Sequence, residues 1–158
     1  MYCLSAWGNC SVTNLKRLLG IQKKAVRILN RQTPFSPVQS CFKSLHIFRP
    51  TELYVQSCAR LAYKYLHGKI PTTELFTYTS NQQIHNHYTR NIENIHVPKV
   101  HSSNRQKTYA ISSIRIWNSI PSQIRQKSSL HSFAKSIKQY LLQTSYEDLG
   151  ATFTFLRF

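Results

Sequence analysis

Apolar residues recur at helical spacing in three long segments of this chain, and this periodicity constrains its fold more than any other feature. It predicts helices near 13–31, 51–67 and 128–143, each with one apolar face. In the second helix that face comprises Leu53, Tyr54, Cys58, Leu61, Ala62 and Tyr65, and in the third Leu130, Phe133, Ile137, Tyr140 and Leu141. We therefore expect a mainly α fold, a small helical bundle whose helices pack on one core.

Cap residues indicate where these helices begin and end. Those best suited to the three starts are, in chain order, Thr13 or Asn14, Thr51, and Ser128 or Ser129. Gly68, shortly before Pro71, is typical of a helix end. Ser36 and Pro37 predict the start of a shorter helix, and residues 73–76 a single helical turn.

Composition divides the chain into four regions. Residues 1–76 form a basic helical region and 108–146 a second helical region. Between them, 77–107 is rich in Asn, His, Ser and Gln and lacks helical periodicity, so we expect an irregular segment that could include a short strand at "NIHVPKV". Residues 147–158 form an apolar tail, either a strand or an exposed edge.

The first long helix has two different faces. At 100° per residue, one arc would carry apolar side chains and Gln22, and the opposite arc a continuous basic stripe. The apolar arc comprises Leu15, Leu18, Leu19, Gln22, Ala25, Val26 and Leu29. The basic arc comprises Lys16, Arg17, Lys23, Lys24, Arg27 and Arg31.

Positive charge is in large excess throughout the 158 residues. There are 21 Lys and Arg against 5 Asp and Glu, a formal net charge of +16. Surfaces that serve only solubility usually mix both signs, whereas this imbalance is unfavourable unless a polyanion neutralises it. The charge therefore indicates a nucleic-acid partner or an anionic membrane surface.

Residues for catalysis are scarce. Asp148 is the one aspartate, and a two-metal nucleotidyl-transfer site needs several carboxylates. No glycine-rich phosphate-binding loop and no serine nucleophile motif is present. We therefore expect no self-contained enzyme, no catalytic residues and no cofactor.

Metal sites and disulfides are also unexpected. The histidines of the central segment, His85, His87, His96 and His101, have no regular spacing and no cysteine nearby, which disfavours a zinc site. Four cysteines are too few for a disulfide framework in a chain of this length, and no C-x-x-C pair occurs. We expect reduced thiols, with Cys41 and Cys58 on apolar helix faces.

Basic and aromatic residues continue into the second half. Further candidate phosphate contacts are Arg90 and Arg115, with Arg105, Lys107, Arg125 and Lys127 as additional basic positions. Tyr88, Tyr109 and Trp117 could stack on bases, although core packing is the favoured role for Trp117. The pattern favours binding of the phosphate backbone over recognition of base edges.

An ordered series of short stretches resembles a known family. "YCLSAWGN", "LKRLLGIQKKAVRIL", "KSLHIF", "YKYLHGKIP" with "LF", "HNHYTR", and "IRIWNSIPSQIR" with "SLHSFAKSIKQYL" occur here in that order. The series is similar to the C-terminal, thumb and post-thumb part of reverse transcriptases of non-LTR (LINE-class, Jockey-like) retrotransposons, and it covers about residues 2–142. Ser113 and Ile114 stand where that family commonly has Gly-Pro.

The resemblance implies a helical thumb that holds a template–primer duplex of RNA or DNA behind the active site. It also implies that the catalytic aspartates belong to a palm upstream, which this chain lacks. The expected function is therefore residual binding of a nucleic-acid backbone without polymerase activity, inside the cell (cytoplasm or nucleus) and not secreted. The alternative is a basic helical module that binds a protein or a membrane surface.

Overall fold

The computed structural model describes residues 3–71, 78–84 and 92–144, and these are mainly helical, which confirms the predicted small helical bundle. In chain order the helices of the described ranges are α1 (Leu4–Trp7), α2 (Val12–Leu29), α3 (Gln39–Ser44), α4 (Pro50–Leu66), α5 (Asn81–Ile84), α6 (Ser103–Gln106), α7 (Tyr109–Ser119), α8 (Ser122–Arg125) and α9 (Leu130–Gln143). The predicted turn at 73–76 and the tail 147–158 lie outside the described residues.

Helix α4 is the centre of the larger core. It packs against α1, α7 and α9, and its small side chains Cys58, Ala59 and Ala62 are fully buried, which lets the neighbouring helices approach closely. Tyr63 is also fully buried, whereas Tyr65, expected on the apolar face, is half-buried. Helices from both helical regions of the sequence therefore share one core.

Helix α2 belongs mainly to a second, smaller cluster, which differs from the single core expected. Val26 of α2 packs there with Val38, Cys41 and Phe42 from the segment that contains α3. Only Leu15 and Val26 of α2 are buried, and Leu29, expected in the core, is 66% exposed. The cluster buries Val26 from the last turn of α2 but leaves Ile28 and Leu29 of the same turn exposed.

Three predicted helix starts were wrong by two or three residues. Helix α2 begins at Val12 because the Ser11 side chain accepts a hydrogen bond from the Asn14 N–H (3.4 Å). Helix α3 begins after Val38 and not at Ser36 and Pro37. Helix α4 begins at Pro50 after Arg49, so Thr51 is already inside the helix.

Two other helix ends were predicted correctly. The Ser129 hydroxyl caps α9 by accepting a hydrogen bond from the Ser132 N–H (3.1 Å). Gly68 follows the end of α4 with a φ of 62°, the left-handed conformation that glycine adopts without strain.

The central polar region contains little regular structure among its described residues. An isolated antiparallel bridge joins Ser80 and Ile95. No strand forms at residues 94–100, so the strand suggested at "NIHVPKV" was wrong apart from this single bridge. The Asn118 side chain holds Ile95, since it accepts from the Ile95 N–H (3.0 Å) and donates to the Ile95 carbonyl (2.8 Å). These bonds fix the segment to α7 without a sheet.

Candidate nucleic-acid interface

The exposed face of α2 carries a basic stripe, defined here as Lys16, Arg17, Lys23, Lys24 and Arg27. Placed on an ideal helix, these five side chains span an arc of about 120°. Lys16, Arg17, Lys23 and Lys24 are exposed, and Arg27 is half-buried. From Lys16 to Arg27 the stripe is about 16 Å long, a length over which duplex DNA carries about nine phosphate charges.

Two hydrogen bonds orient this face. The Gln22 amide donates to the Phe48 carbonyl (2.6 Å), which attaches the opposite side of α2 to the segment before α4. The Arg27 Nε donates to the Ser36 carbonyl (3.0 Å), which attaches the C-terminal half of α2 to the loop before α3. The stripe is therefore held on a helix with a defined orientation.

No acid on α2 opposes the stripe. Val12–Leu29 contains no Asp or Glu, and the described acids of the chain are Glu52 and Glu93. Glu52 is buried beside Arg49, and its burial raises the pKa of the carboxyl group despite the cation. Within the described ranges no acid is paired with a cation of the stripe, so its positive charge is available to an anion from solution.

The remaining predicted site residues are not part of this stripe. Arg31 is exposed but lies beyond the end of α2, with a φ of 50°. Arg115 is on α7, where it is half-buried between the buried Ile114 and Ile116 and is engaged in contacts of its own. Arg90 lies outside the described residues.

The described aromatic side chains that were candidates for base stacking, Trp117 and Tyr109, pack in or against the hydrophobic core. Trp117 is 6% exposed, and its ring centroid is 5.8 Å from that of Phe133, which confirms its predicted core role. Tyr109 packs against the same core, and burial raises the pKa of its hydroxyl. Tyr88 is not among the described residues. The described aromatic side chains predicted to stack on bases therefore do not form an exposed stacking surface.

Other second-half cations have mixed environments. Arg105, Lys107 and Lys127 are exposed. Arg125 is half-buried, its Nη1 donates to the Asn94 side chain (3.0 Å), and burial lowers the pKa of its guanidinium group. Arg125 thus has a structural role within the described chain.

Arg49 is a basic residue that the sequence analysis missed. It is 8% exposed, its guanidinium lies 5.4 Å from the centre of the Phe42 ring, and its Nη1 is 3.7 Å from Glu52 Oε1. Its own N–H donates to Glu52 Oε2 (2.8 Å) in a capping box. Pro50 at the first helical position and Glu52 at the third were the signals that could have located it.

An exposed apolar strip begins beside the basic stripe, where Ile21 and Ile28 would lie on an ideal helix, and continues past the end of α2. Its members and their exposures are Ile21 (66%), Ile28 (77%), Leu29 (66%) and, beyond the helix, Phe35 (96%). Large apolar side chains exposed together commonly mark a surface that contacts another molecule. Ala25 on the same side is exposed as well, although the sequence pattern placed it in the core.

Neither a metal-binding cluster nor a membrane-spanning helix occurs within the described ranges. Among residues 3–71, 78–84 and 92–144, no three His, Cys, Asp or Glu side chains lie close enough together to hold a metal ion. None of the helices described is long and apolar enough to cross a membrane. His85 and His87 fall outside these ranges.

No protein-family model, no curated protein and no solved structure matches this chain.

Proposed function

We propose that this chain derives from the C-terminal part of a non-LTR retrotransposon reverse transcriptase and binds the phosphate backbone of a nucleic-acid duplex, inside the cell. The observation that carries the proposal is the basic stripe of α2, four of whose five cations are exposed with no acid on the helix. The ordered sequence stretches that resemble the thumb region support the same origin.

Backbone binding fits this surface better than base recognition. Lys and Arg side chains on an open helix face contact phosphates without regard to sequence, and each contact releases counterions. Stacking on unpaired bases would need exposed aromatic rings, whereas the described candidates Trp117 and Tyr109 pack in or against the core. We therefore expect duplexes of unrelated sequence to bind with similar affinity.

The salt dependence of binding tests this function. If all five cations of the stripe contact phosphates, the logarithm of the association constant should fall against the logarithm of salt concentration with a slope of about −4.5. Fluorescence anisotropy on two duplexes of unrelated sequence and one RNA–DNA hybrid would measure it. A slope near zero, or binding of one sequence alone, would contradict backbone binding.

We also propose that the chain has no polymerase activity of its own. It has five acids in total, and Glu52, one of the two in the described ranges, is buried in a helix cap. Too few carboxylates remain to position two magnesium ions at a primer end. Magnesium-dependent primer extension should equal that of a no-protein control, and extension above it would overturn this proposal.

A second candidate function has one observation in its favour. The exposed apolar strip beside the basic stripe would suit a protein partner or an anionic membrane surface. This candidate predicts binding that persists at high salt, because apolar contacts are not screened. Sedimentation with anionic and neutral lipid vesicles, beside the duplex assay, separates the two functions.

A further inference from the structure

A cavity opens where the basic stripe meets α3 and the start of α4. Its volume is about 250 Å³. It is lined by Leu19, Lys23, Arg27, Pro37, Val38, Gln39, Phe42 and Arg49. Cavities that hold drug-sized ligands usually range from about 300 to 1,000 Å³, so this one suits a smaller group.

Three of the lining residues are cations, two from α2 and one from the start of α4. Lys23 is exposed, and the Arg27 Nε donates to the Ser36 carbonyl, so the two terminal nitrogens of Arg27 are not used in that bond. Arg49 comes from the capping box of α4 and is 8% exposed. Helix α2 and the start of α4 thus place positive charge around one recess.

The charge balance of the cavity favours a doubly charged anion. Glu52, 3.7 Å from Arg49, offsets the charge of that residue, which leaves the two positive charges of Lys23 and Arg27 in excess among the described residues. Leu19, Val38 and Phe42 form apolar walls, which lower the local dielectric constant and strengthen the attraction for an anion. Guanidinium and ammonium groups are the usual protein donors to phosphate oxygens.

We infer that this cavity binds a phosphate monoester dianion, such as the terminal phosphate of a nucleic-acid strand that lies along the basic stripe. Binding of a strand end rests on the proposed function. A free phosphorylated small molecule would present the same phosphate group to the same residues. An internal phosphodiester carries one charge and continues on both sides, so it suits the open stripe better than a recess.

Binding of two duplexes that differ only at the 5′ end tests whether the cavity takes the terminal phosphate of a strand. A duplex with a 5′-phosphate should bind the full-length chain about tenfold more tightly than the same duplex with a 5′-hydroxyl, the effect expected of one charge-assisted contact. Lys23→Gln should remove most of that preference. Lys24→Gln is the matched control, because Lys24 is an exposed neighbour that does not line the cavity. It should weaken both duplexes and keep their ratio.

Inorganic phosphate tests whether the cavity binds the phosphate group of a free small molecule. At constant ionic strength it should raise the melting temperature of the wild type and of Lys24→Gln more than that of Lys23→Gln. A shift with phosphate but no preference for the phosphorylated end would assign the cavity to a small phosphorylated molecule. No end preference together with equal shifts in both variants would overturn the inference. Salt-dependent binding of the hydroxyl duplex reports separately on the proposed function.

Discussion

Tyr63 connects three parts of the fold through one side chain. Its ring stacks on Phe133 of α9 (4.6 Å between centroids) and on His67 at the end of α4 (3.8 Å). Its hydroxyl donates to the Lys127 carbonyl (2.7 Å), so the polar end of a fully buried ring is satisfied. The apolar spacing of α4 predicted Tyr65 on the buried face, whereas Tyr63 is the fully buried tyrosine. A sequence does not show which of two nearby tyrosines has a carbonyl within reach of its hydroxyl.

Gly8 and Gly20 offer a matched test of close packing around a backbone position. A Cβ on Gly8 would collide with the Tyr54 ring and lie 2.6 Å from the Leu4 carbonyl oxygen, whereas a Cβ on Gly20 would meet nothing within 4 Å. Gly8→Ala should lower the free energy of unfolding by about 1–3 kcal/mol, the usual cost of overpacking. Gly20→Ala should raise it by about 0.5–1 kcal/mol, because alanine favours a helix interior.

Urea denaturation of both glycine variants checks this prediction. Equal effects in the two variants, or a stabilised Gly8→Ala, would contradict the close contact between α1 and α4.

At the scale of elements, the α9 cap can be tested by a neighbouring pair of serines. Ser129 accepts the Ser132 N–H at the helix start, and Ser128 precedes the cap and makes no such bond. Ser129→Ala should therefore cost about 1 kcal/mol of stability, and Ser128→Ala close to none. Thermal unfolding followed by circular dichroism measures both, and the opposite order would show that the cap is misassigned.

The sequence predicted the presence of the long helices better than their ends. Apolar spacing locates α2, α4 and α9 because periodicity extends over several turns. The start of α4 was misplaced because Thr51 is a good cap residue by type, whereas the actual cap uses the Arg49 backbone and the Glu52 side chain. That choice depends on burial of the pair beside Phe42, which local sequence does not show.

The cavity could be predicted only in part. Lys23 and Arg27 follow from the basic arc of α2, but Arg49 lies at the start of a different helix. Their meeting depends on how α2 and α3 pack around Val26 and Phe42. The exposed apolar strip was unexpected for the same reason, since a small cluster leaves Ile28 and Leu29 in solvent.

In the molecule as a whole, the basic stripe and the larger hydrophobic core are formed mainly by different helices. The larger core around α4 contains the buried apolar residues of α7 and α9, while the basic stripe lies on α2, whose own buried set is Leu15 and Val26. A partner could therefore bind the stripe with little disturbance of the larger core. Charge changes on the stripe should affect binding more than stability.

The most direct test of backbone binding reverses charge on the stripe and, as a control, elsewhere. Lys16→Glu/Arg17→Glu/Lys24→Glu changes three exposed residues that do not line the cavity. Lys127→Glu/Lys135→Glu/Lys138→Glu makes the same change in net charge at exposed positions in the loop after α8 and on α9. Circular dichroism should show equal helix content in both variants and the wild type.

Duplex affinity across a salt series then tests whether the basic stripe contacts phosphates. The stripe variant should bind much more weakly at low salt, and its log–log slope should flatten by about 2.7 because three phosphate contacts are lost. The control variant should keep a slope close to that of the wild type. An unchanged slope in the stripe variant, or equal losses in both variants, would show that the basic stripe of α2 is not the nucleic-acid interface.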